Sequence, residues 1–432
     1  MREKIIGSLR CPLCGKNLGV SYVPELKSAR EGDDILFGIA GCGCRKYPVV
    51  YGILVFKELK CSKEAIEKII NSKTDLSLEK TVVLFMEEQF IGLVLHLEMI
   101  FKRFFGRPFR MTLWKLATFI KNSPFATYAK YRFSCPSLIS AMPLFPVIKK
   151  ALSNGGEILD LGCGMGHLTY LISRHFGAKN IYCADISFRG LYFARRFLPG
   201  KDSNFILLDA NMAFPFADKT FQAVISMDAL PFIENKAACV NEIDRVLKQD
   251  GLVAFVHLHN KLVPFIANGL PLTPQGYKDL FPKNYKIRSY SEAELMNMIF
   301  HGEDLDLGKD TNIEAVNRSD AISMVAVHGQ DYLTKYPGYF DFSGISLRTD
   351  GSAYEGEKII LNPIYRKRKG KYALVFPAPR YEEEYYLIKD YFPGTVDPNT
   401  PEETLKRKMI LIPAPENYMK KGEQLNYLRL WR

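Results

Sequence analysis

An open α/β sheet with helices on both faces is the fold class this sequence predicts, and three observations predict it. The first is "ILDLGCGMGHL", residues 158–168, where the apolar strand Ile158–Leu161 runs into a glycine-rich turn that opens the helical stretch "HLTYLISRHF". The second is "NIYCADIS", a second strand with Asp185 at its tip. The third is the succession after it. Strands end at Asp209-Ala210 and near Asp228, then a helix "NKAACVNEIDRVLKQDG" leads into the strand "LVAFVHLHN". Strands alternating with helices in this way build a mostly parallel sheet.

Composition bounds the rest. A chain of 432 residues, 47% of them hydrophobic, is long enough for two or three domains with real cores. An excess of 58 Lys+Arg over 47 Asp+Glu gives a net charge of +11, which suits an anionic partner without demanding one. The opening segment "MREKIIGSLRCPLCG" lacks the apolar core of a signal peptide, so export is not expected. Nine cysteines, an odd number, then fit a reducing compartment, and the expected location is the cytoplasm.

Taken in order, residues 1–60 form the first element. Cys11-Pro-Leu-Cys14 is a knuckle with Gly15 behind it, and Cys42-Gly-Cys44 follows after a short polar segment. Two such pairs can set four thiolates tetrahedrally around zinc, which supplies the folding free energy that so small a module lacks. Behind them, "RKYPVVYGILVF" resembles the zinc-ribbon family typified by the small subunit that activates tRNA and release-factor methyltransferases. In that family a cysteine pair precedes a Tyr-Pro-hydrophobic-Asp-Gly-Ile turn, and the resemblance covers residues 6–57. Tyr51 stands where the family usually has Asp, and the second pair is CxC rather than CxxC. A metal-free remnant is the competing reading. Cys61, Cys135, Cys163, Cys183 and Cys239 are scattered, as buried small apolar residues are.

Residues 61–135 read as a helical connector or cap. "VVLFMEEQFIGLVLHLEMIF" has about the length of a membrane span, but Glu87, Glu88 and Glu98 lie inside it. Each would cost roughly 2.5–3.5 kcal/mol near mid-bilayer, so the expectation is a buried helix with no transmembrane span. The sequel "FKRFFGRPFRMTLWKLATFIK" mixes basic and aromatic residues, which keeps peripheral membrane contact open beside plain packing.

Residues 136–330 carry the glycine loop and the acidic strand tips. A lone GxGxG is weak evidence, because a dinucleotide site uses the same geometry. The downstream order, with "EIDRVLKQDG" at 242–251, resembles the class I S-adenosylmethionine-dependent methyltransferases, in the branch with a Glu-x-x-Arg-Val-Leu-Lys-x-x-Gly signature. The resemblance implies a Rossmann-like seven-stranded methyltransferase sheet. It also implies roles: Gly162, Cys163, Gly164 and Gly166 lie against the methionine part of the cofactor, and Asp160 attracts its ammonium. Asp185 takes the ribose hydroxyls, Ile186 lies under the adenine, Asp209 accepts from the adenine amino group and Ala210 offers a backbone N–H. Met227 and Asp228 end the fourth strand beside the sulfonium. His167, at the first turn of the helix, is expected to pack beside the cofactor.

His257 and His259 are two apart on a strand, hence on one face, near the carboxyl end where ligands of such sheets bind. Either could take a hydroxyl proton or bind the acceptor, and a structural role competes. The fourth strand reads "SMDALPF", without the Asn/Asp-Pro-Pro-Tyr that holds planar amines. A hydroxyl, carboxyl or amine on a small-molecule or glycan-like acceptor is therefore the leading expectation. The segment "KLVPFIANGLPLTPQGYKDLFPKNYKIRSY" would wall the acceptor pocket, with Tyr277 and Phe281 as lining candidates and core packing as the rival. Two other functions compete: an RNA methyltransferase, disfavoured by dispersed charge, and a non-catalytic scaffold, disfavoured by intact glycines and acids.

Ser291-Glu-Ala-Glu294 is a capping box opening "AELMNMIF", and "AISMVAVHG" is a late strand expected to be antiparallel and to close the sheet. Residues 331–432 show short β runs broken by Gly and Pro and one helix-like stretch, "EEEYYLIKDYF", which predicts a small α+β appendage. Its "RKRKGK" run reads as a solvated hairpin tip rather than an anion site.

Overall fold

The computed structural model describes residues 1–22, 25–86, 92, 97–98, 100, 112–115, 124–134, 137–177, 180–198, 203–264, 269–309, 312–329, 331–338, 357–376, 382, 391–415 and 418. One large mixed sheet organises them. Its strands are β1 (Gly19–Tyr22), β2 (Phe37–Gly41), β3 (Lys46–Val50), β4 (Ile53–Val55), β5 (Glu157–Leu161), β6 (Ile181–Asp185), β7 (Asn204–Leu207), β8 (Phe221–Met227), β9 (Leu247–His259), β10 (Tyr285–Ser291) and β11 (Ala321–His328). Their spatial order is β1-β2-β3-β4-β7-β6-β5-β8-β9-β11-β10.

The centre, β4-β7-β6-β5-β8-β9, is parallel throughout. Parallel strands covered on both faces read as near-continuous apolar runs, and every residue of β8, "FQAVISM", is buried. Helices α3 (His167–Phe176), α4 (Phe188–Phe197) and α5 (Lys236–Val246) connect these strands, after α1 (Ser62–Asn71) and α2 (Pro124–Arg132). The late strand β11 is antiparallel as expected, but it lies between β9 and β10 instead of at the edge. The edge strand, β10, comes from the segment assigned by sequence to the pocket wall. Ser291 caps α6 (Glu292–His301) by accepting from the Glu294 N–H at 3.3 Å.

The sheet has eleven strands, where seven were expected of residues 136–330. Seven come from residues 157–328, and four more are supplied by the N-terminal segment. The physical reason is the open edge of β7, a row of unpaired N–H and C=O groups. β4 fills it in parallel, with Ile53 opposite Phe205, Leu54 opposite Ile206 and Val55 opposite Leu207. The turn between β3 and β4 explains the unusual Tyr51. Tyr51 and Gly52 both have positive φ, 54° and 72°, as a two-residue turn of this type requires. Tyrosine is poorly suited to that backbone, but its ring packs on Tyr192 of α4 at 4.8 Å between centroids. At Gly52 a Cβ would sit 2.7 Å from the Arg195 guanidinium, so a side chain there would displace the arginine as well as strain the backbone. Arg195 in turn pairs with Asp34 at 3.2 Å.

The "EIDRVLKQDG" signature is a structural clamp. Glu242 accepts from the Phe214 N–H at 2.6 Å, while Arg245 donates to the carbonyls of Phe214 and Phe216 and pairs with Glu242 and Asp218. It thereby fixes the "FPF" loop between β7 and β8.

The C-terminal residues form small sheets: β12 (Glu357–Leu361) with β15 (Leu411–Pro415), and the hairpin β13 (Tyr365–Arg368) with β14 (Lys371–Leu374). Lys369 and Gly370 are the tip of that hairpin, with positive φ of 46° and 76°. Ile364, Phe392, Ile410 and Ile412 share a core with Leu295, Ile299 and Phe300 of α6. Of the helix-like stretch 382–392, only Glu382, Tyr391 and Phe392 lie within the described residues. Most of the segment 82–101 lies outside them too. No described helix is long and apolar enough to cross a membrane.

Arg245→Ala removes several charge-assisted bonds from a half-exposed clamp. It is expected to lower stability by about 1–2 kcal/mol in urea titrations, with Arg245→Lys recovering less than half because a lysine cannot reach two carbonyls at once.

Candidate active site

The loop after β5 is shaped by packing before any ligand is considered. Gly162, Gly164 and Gly166 all take positive φ, 75°, 54° and 78°. A Cβ on Gly162 would stand 2.2 Å from the Ala229 Cβ, and one on Gly166 2.8 Å from the Ala194 Cβ. The glycines are therefore demanded by contact with the neighbouring loop and with α4, in addition to the free backbone they leave for a ligand. Two N–H groups, of Gly162 and the buried Cys163, point to the Ala184 carbonyl at 2.7 and 3.1 Å. Above Gly164 lies the Tyr128 hydroxyl, 3.3 Å from where a Cβ would be, so α2 roofs the loop.

The acids fall at the strand ends. Asp160 is fully buried and accepts from the Thr169 hydroxyl, while its Oδ1 makes no hydrogen bond. Burial pushes its carboxyl up to about 7, against the pull of Thr169. Asp185 accepts from the Gly164 N–H at 2.7 Å and the Ser187 N–H at 2.8 Å, which ties the tip of β6 to the glycine loop. Ile186 beside it is 49% exposed, an apolar face open to a flat ligand. Asp209 accepts from the backbone and side-chain nitrogens of Asn211, and Ala210 is half-buried next to it.

At the ends of β8 and β9 sits a second, polar group of side chains. Asp228 pairs through Oδ2 with Arg132 of α2, and His259 Nε2 lies 2.9 Å from Asp228 Oδ1. His257 Nδ1 is 2.8 Å from Glu292 Oε1, and the two imidazole rings stand edge to face, 5.6 Å apart. β9 bulges here: its register against β11 shifts between Phe255 and Leu258, and His257 has φ 58°. Bulges of this kind re-aim side chains beside functional sites. Burial works against a charge on Asp228, yet Arg132, with His259 beside it, holds the carboxyl well below the usual range. His167 is buried with Nε2 3.3 Å from the Met227 sulfur, and burial holds its imidazole down to about 3, with Arg132 adding to the effect.

Tyr277 and Phe281 belong to the core instead of a pocket wall. Tyr277 is fully buried and donates to the His259 carbonyl at 2.9 Å, and Phe281 packs on Phe255. Arg132, Tyr128 and Glu292 were not singled out by sequence. The signals available were a "TYAKYR" run for the first two and, for Glu292, a place inside a capping box that accounts only for Ser291 and Glu294.

Far from this edge, the sulfurs of Cys11, Cys14, Cys42 and Cys44 come together. Cys42–Cys44 is 3.2 Å, Cys14–Cys44 3.3 Å, and Cys11–Cys44 and Cys14–Cys42 are 3.6 Å. These separations are too long for disulfides and close to the edge of a tetrathiolate tetrahedron, about 3.8 Å for metal–sulfur bonds of about 2.3 Å.

Residues 159–255 match the methyltransferase domain family. Among curated relatives, a ubiquinone/menaquinone biosynthesis C-methyltransferase of Desulfotalea psychrophila is 32% identical over 107 residues, covering 25% of this chain and 43% of its own. A malonyl-[acyl-carrier protein] O-methyltransferase of Methylococcus capsulatus is 32% identical over 99 residues, 23% of this chain and 36% of its own. The match thus spans less than half the length of either relative. Among solved structures, a chain from the complex between a Haloferax volcanii methyltransferase activator and a methyltransferase covers 44% of this chain and 92% of its own, at 19% identity and a TM-score of 0.33.

The matched methyltransferase segment contains every candidate cofactor residue from Asp160 to Asp228. His257, His259, Arg132, Glu292 and the four clustered cysteines Cys11, Cys14, Cys42 and Cys44 lie outside it.

Gly162→Ala is expected to destabilise the chain by about 2–4 kcal/mol in chemical denaturation, because it combines an unfavourable φ with a clash against the Ala229 Cβ, which has no freedom to turn away. A change under about 0.5 kcal/mol would mean that the loop is not held as described.

Proposed function

We propose that this protein is an S-adenosylmethionine-dependent methyltransferase acting on a small-molecule acceptor. The observation that supports it most is the buried, unbonded Oδ1 of Asp160 beneath the glycine loop, next to a carboxylate that two backbone N–H groups already orient. A buried carboxylate oxygen without a donor suits an ammonium group, and the cofactor's methionine end carries one. Asp185 then faces the ribose, Ile186 and Asp209 the adenine, and the sulfonium end points toward Met227 and Asp228. Such a cofactor supplies an already activated methyl group, so alignment and exclusion of water carry much of the rate.

His257 and His259, with Asp228, are proposed to hold the acceptor's reacting group at this end. The curated relatives transfer methyl to carbon in one case and to oxygen in the other, so the acceptor atom is left to experiment. We further assign zinc to the four cysteines, where it would be structural: all four positions around the ion are filled by thiolates. Its place is to stabilise the segment that supplies β1–β4 to the common sheet.

Two measurements test this reading. With labelled cofactor, label is expected in a small-molecule fraction of a cell extract, and label in RNA would overturn the acceptor assignment. S-adenosylhomocysteine titrated by calorimetry tests the cradle. Its ammonium pairs with the carboxylate form of Asp160, so binding releases a proton below about pH 7. Affinity should therefore fall as pH drops from 7 toward 5, by up to about tenfold per unit. Asp160→Asn should bind more weakly with no such slope, and Asp185→Ala should lose about 10- to 100-fold. A flat pH profile in the unaltered protein would remove Asp160 from the ligand.

A further inference from the structure

We propose that Asp228, His257 and His259 form a binding site for a divalent first-row transition-metal ion, separate from the cysteine cluster. One donor atom from each residue lies within 4.8 Å of the others. His259 Nε2 and Asp228 Oδ1 are 2.9 Å apart, close to the roughly 3 Å that separates neighbouring donors around an ion held at about 2.1 Å. The third donor, from His257, lies within 4.8 Å of these two and would move inward on binding such an ion.

Three further features point the same way. The first concerns the carboxylates. Arg132 occupies Oδ2 of Asp228, which leaves Oδ1 facing the histidines, and that buried oxygen receives no aligned hydrogen bond. The Oε2 of buried Glu292 receives none either. A cation held between these carboxylate oxygens and the histidine nitrogens would give both oxygens a partner. The second is the bond from His257 Nδ1 to Glu292 at 2.8 Å, the carboxylate–histidine arrangement that fixes the ring so that its other nitrogen can ligate. The third is the backbone. Asp228 and His257 both take positive φ, 53° and 58°, an unfavourable conformation for such residues, and each contributes a donor atom to the group.

Two imidazole nitrogens and one carboxylate oxygen suit manganese, iron, cobalt or zinc better than calcium or magnesium, and three protein ligands leave positions open for another molecule. Phe232, 48% exposed with its ring 5.7 Å from that of His259, marks where the cluster meets solvent. The inference rests on the methyltransferase reading only for its use: an ion here would face the acceptor and polarise one of its oxygens.

The test is binding, not turnover. Full-length protein with its cysteine site filled by zinc is titrated with manganese(II), and the free ion is followed by electron paramagnetic resonance. About one manganese per chain is expected, and His257→Ala and His259→Ala should each weaken it at least about 100-fold, Glu292→Gln about tenfold. Calorimetry with S-adenosylhomocysteine on the same variants checks that they remain folded. Should both histidine variants misfold, pulsed resonance on the unaltered complex decides, with couplings from two imidazole nitrogens expected. No bound manganese, or bound manganese without imidazole coupling, overturns the site. Cofactor binding without manganese would sink this proposal alone. Manganese binding without cofactor binding would sink the methyltransferase reading and leave the metal site standing.

Discussion

Register between neighbouring parallel strands is the constraint on which the site depends. Asp160 pairs in register with Cys183 on one side and Ile225 on the other, and Asp185 pairs with Leu207. A slip of one residue would turn every side chain to the opposite face of the sheet. The strands resist slipping because both faces are buried: Leu159, Cys183, Ile206 and Val224 are all essentially inaccessible. With that register fixed, Asp160, Asp185, Asp209 and Asp228 all come out along one edge, where helix starts and tight turns leave backbone donors facing outward. Ligand crevices of open α/β sheets form at such edges.

The same sheet explains why the N-terminal segment is not a loose attachment. Its four strands continue the hydrogen-bond ladder outward from β7, and Tyr51, Gly52 and Arg195 seal the junction against α4. β7 and β6 carry the adenosine-side candidates Asp209, Asp185 and Ile186. A segment that completes the ladder on β7 therefore stiffens the half of the cleft in which a nucleoside would lie, four strands from β9 and its histidines. The cysteine-bearing segment and the histidine cluster are joined through paired backbones.

The glycine loop, the acidic strand tips and the strand–helix alternation were legible because each is local: a few consecutive residues determine the backbone. Sequence reasoning gave the glycines a ligand-facing role, and the structure adds the contacts with Ala229 and Ala194 that crowd out a side chain at Gly162 and Gly166. What escaped was long-range. Arg132 meets Asp228 across 96 positions and Glu292 meets His257 across 35, and nothing near either residue marks the partner. The eleven-stranded sheet escaped for the same reason, since an open edge strand reads no differently from a paired one. Tyr277 was a balanced choice between pocket wall and core, and the His259 carbonyl it bonds decided for the core.

The account stands or falls on where a nucleoside ligand lies. A crystal structure of the full-length protein with S-adenosylhomocysteine tests this most directly. The account predicts ribose hydroxyls within hydrogen-bond distance of Asp185, the amino acid end over Gly162–Gly166 with its ammonium toward Asp160, and the sulfur facing Asp228. Density for the ligand elsewhere, or an empty cleft at saturating concentration, would contradict it.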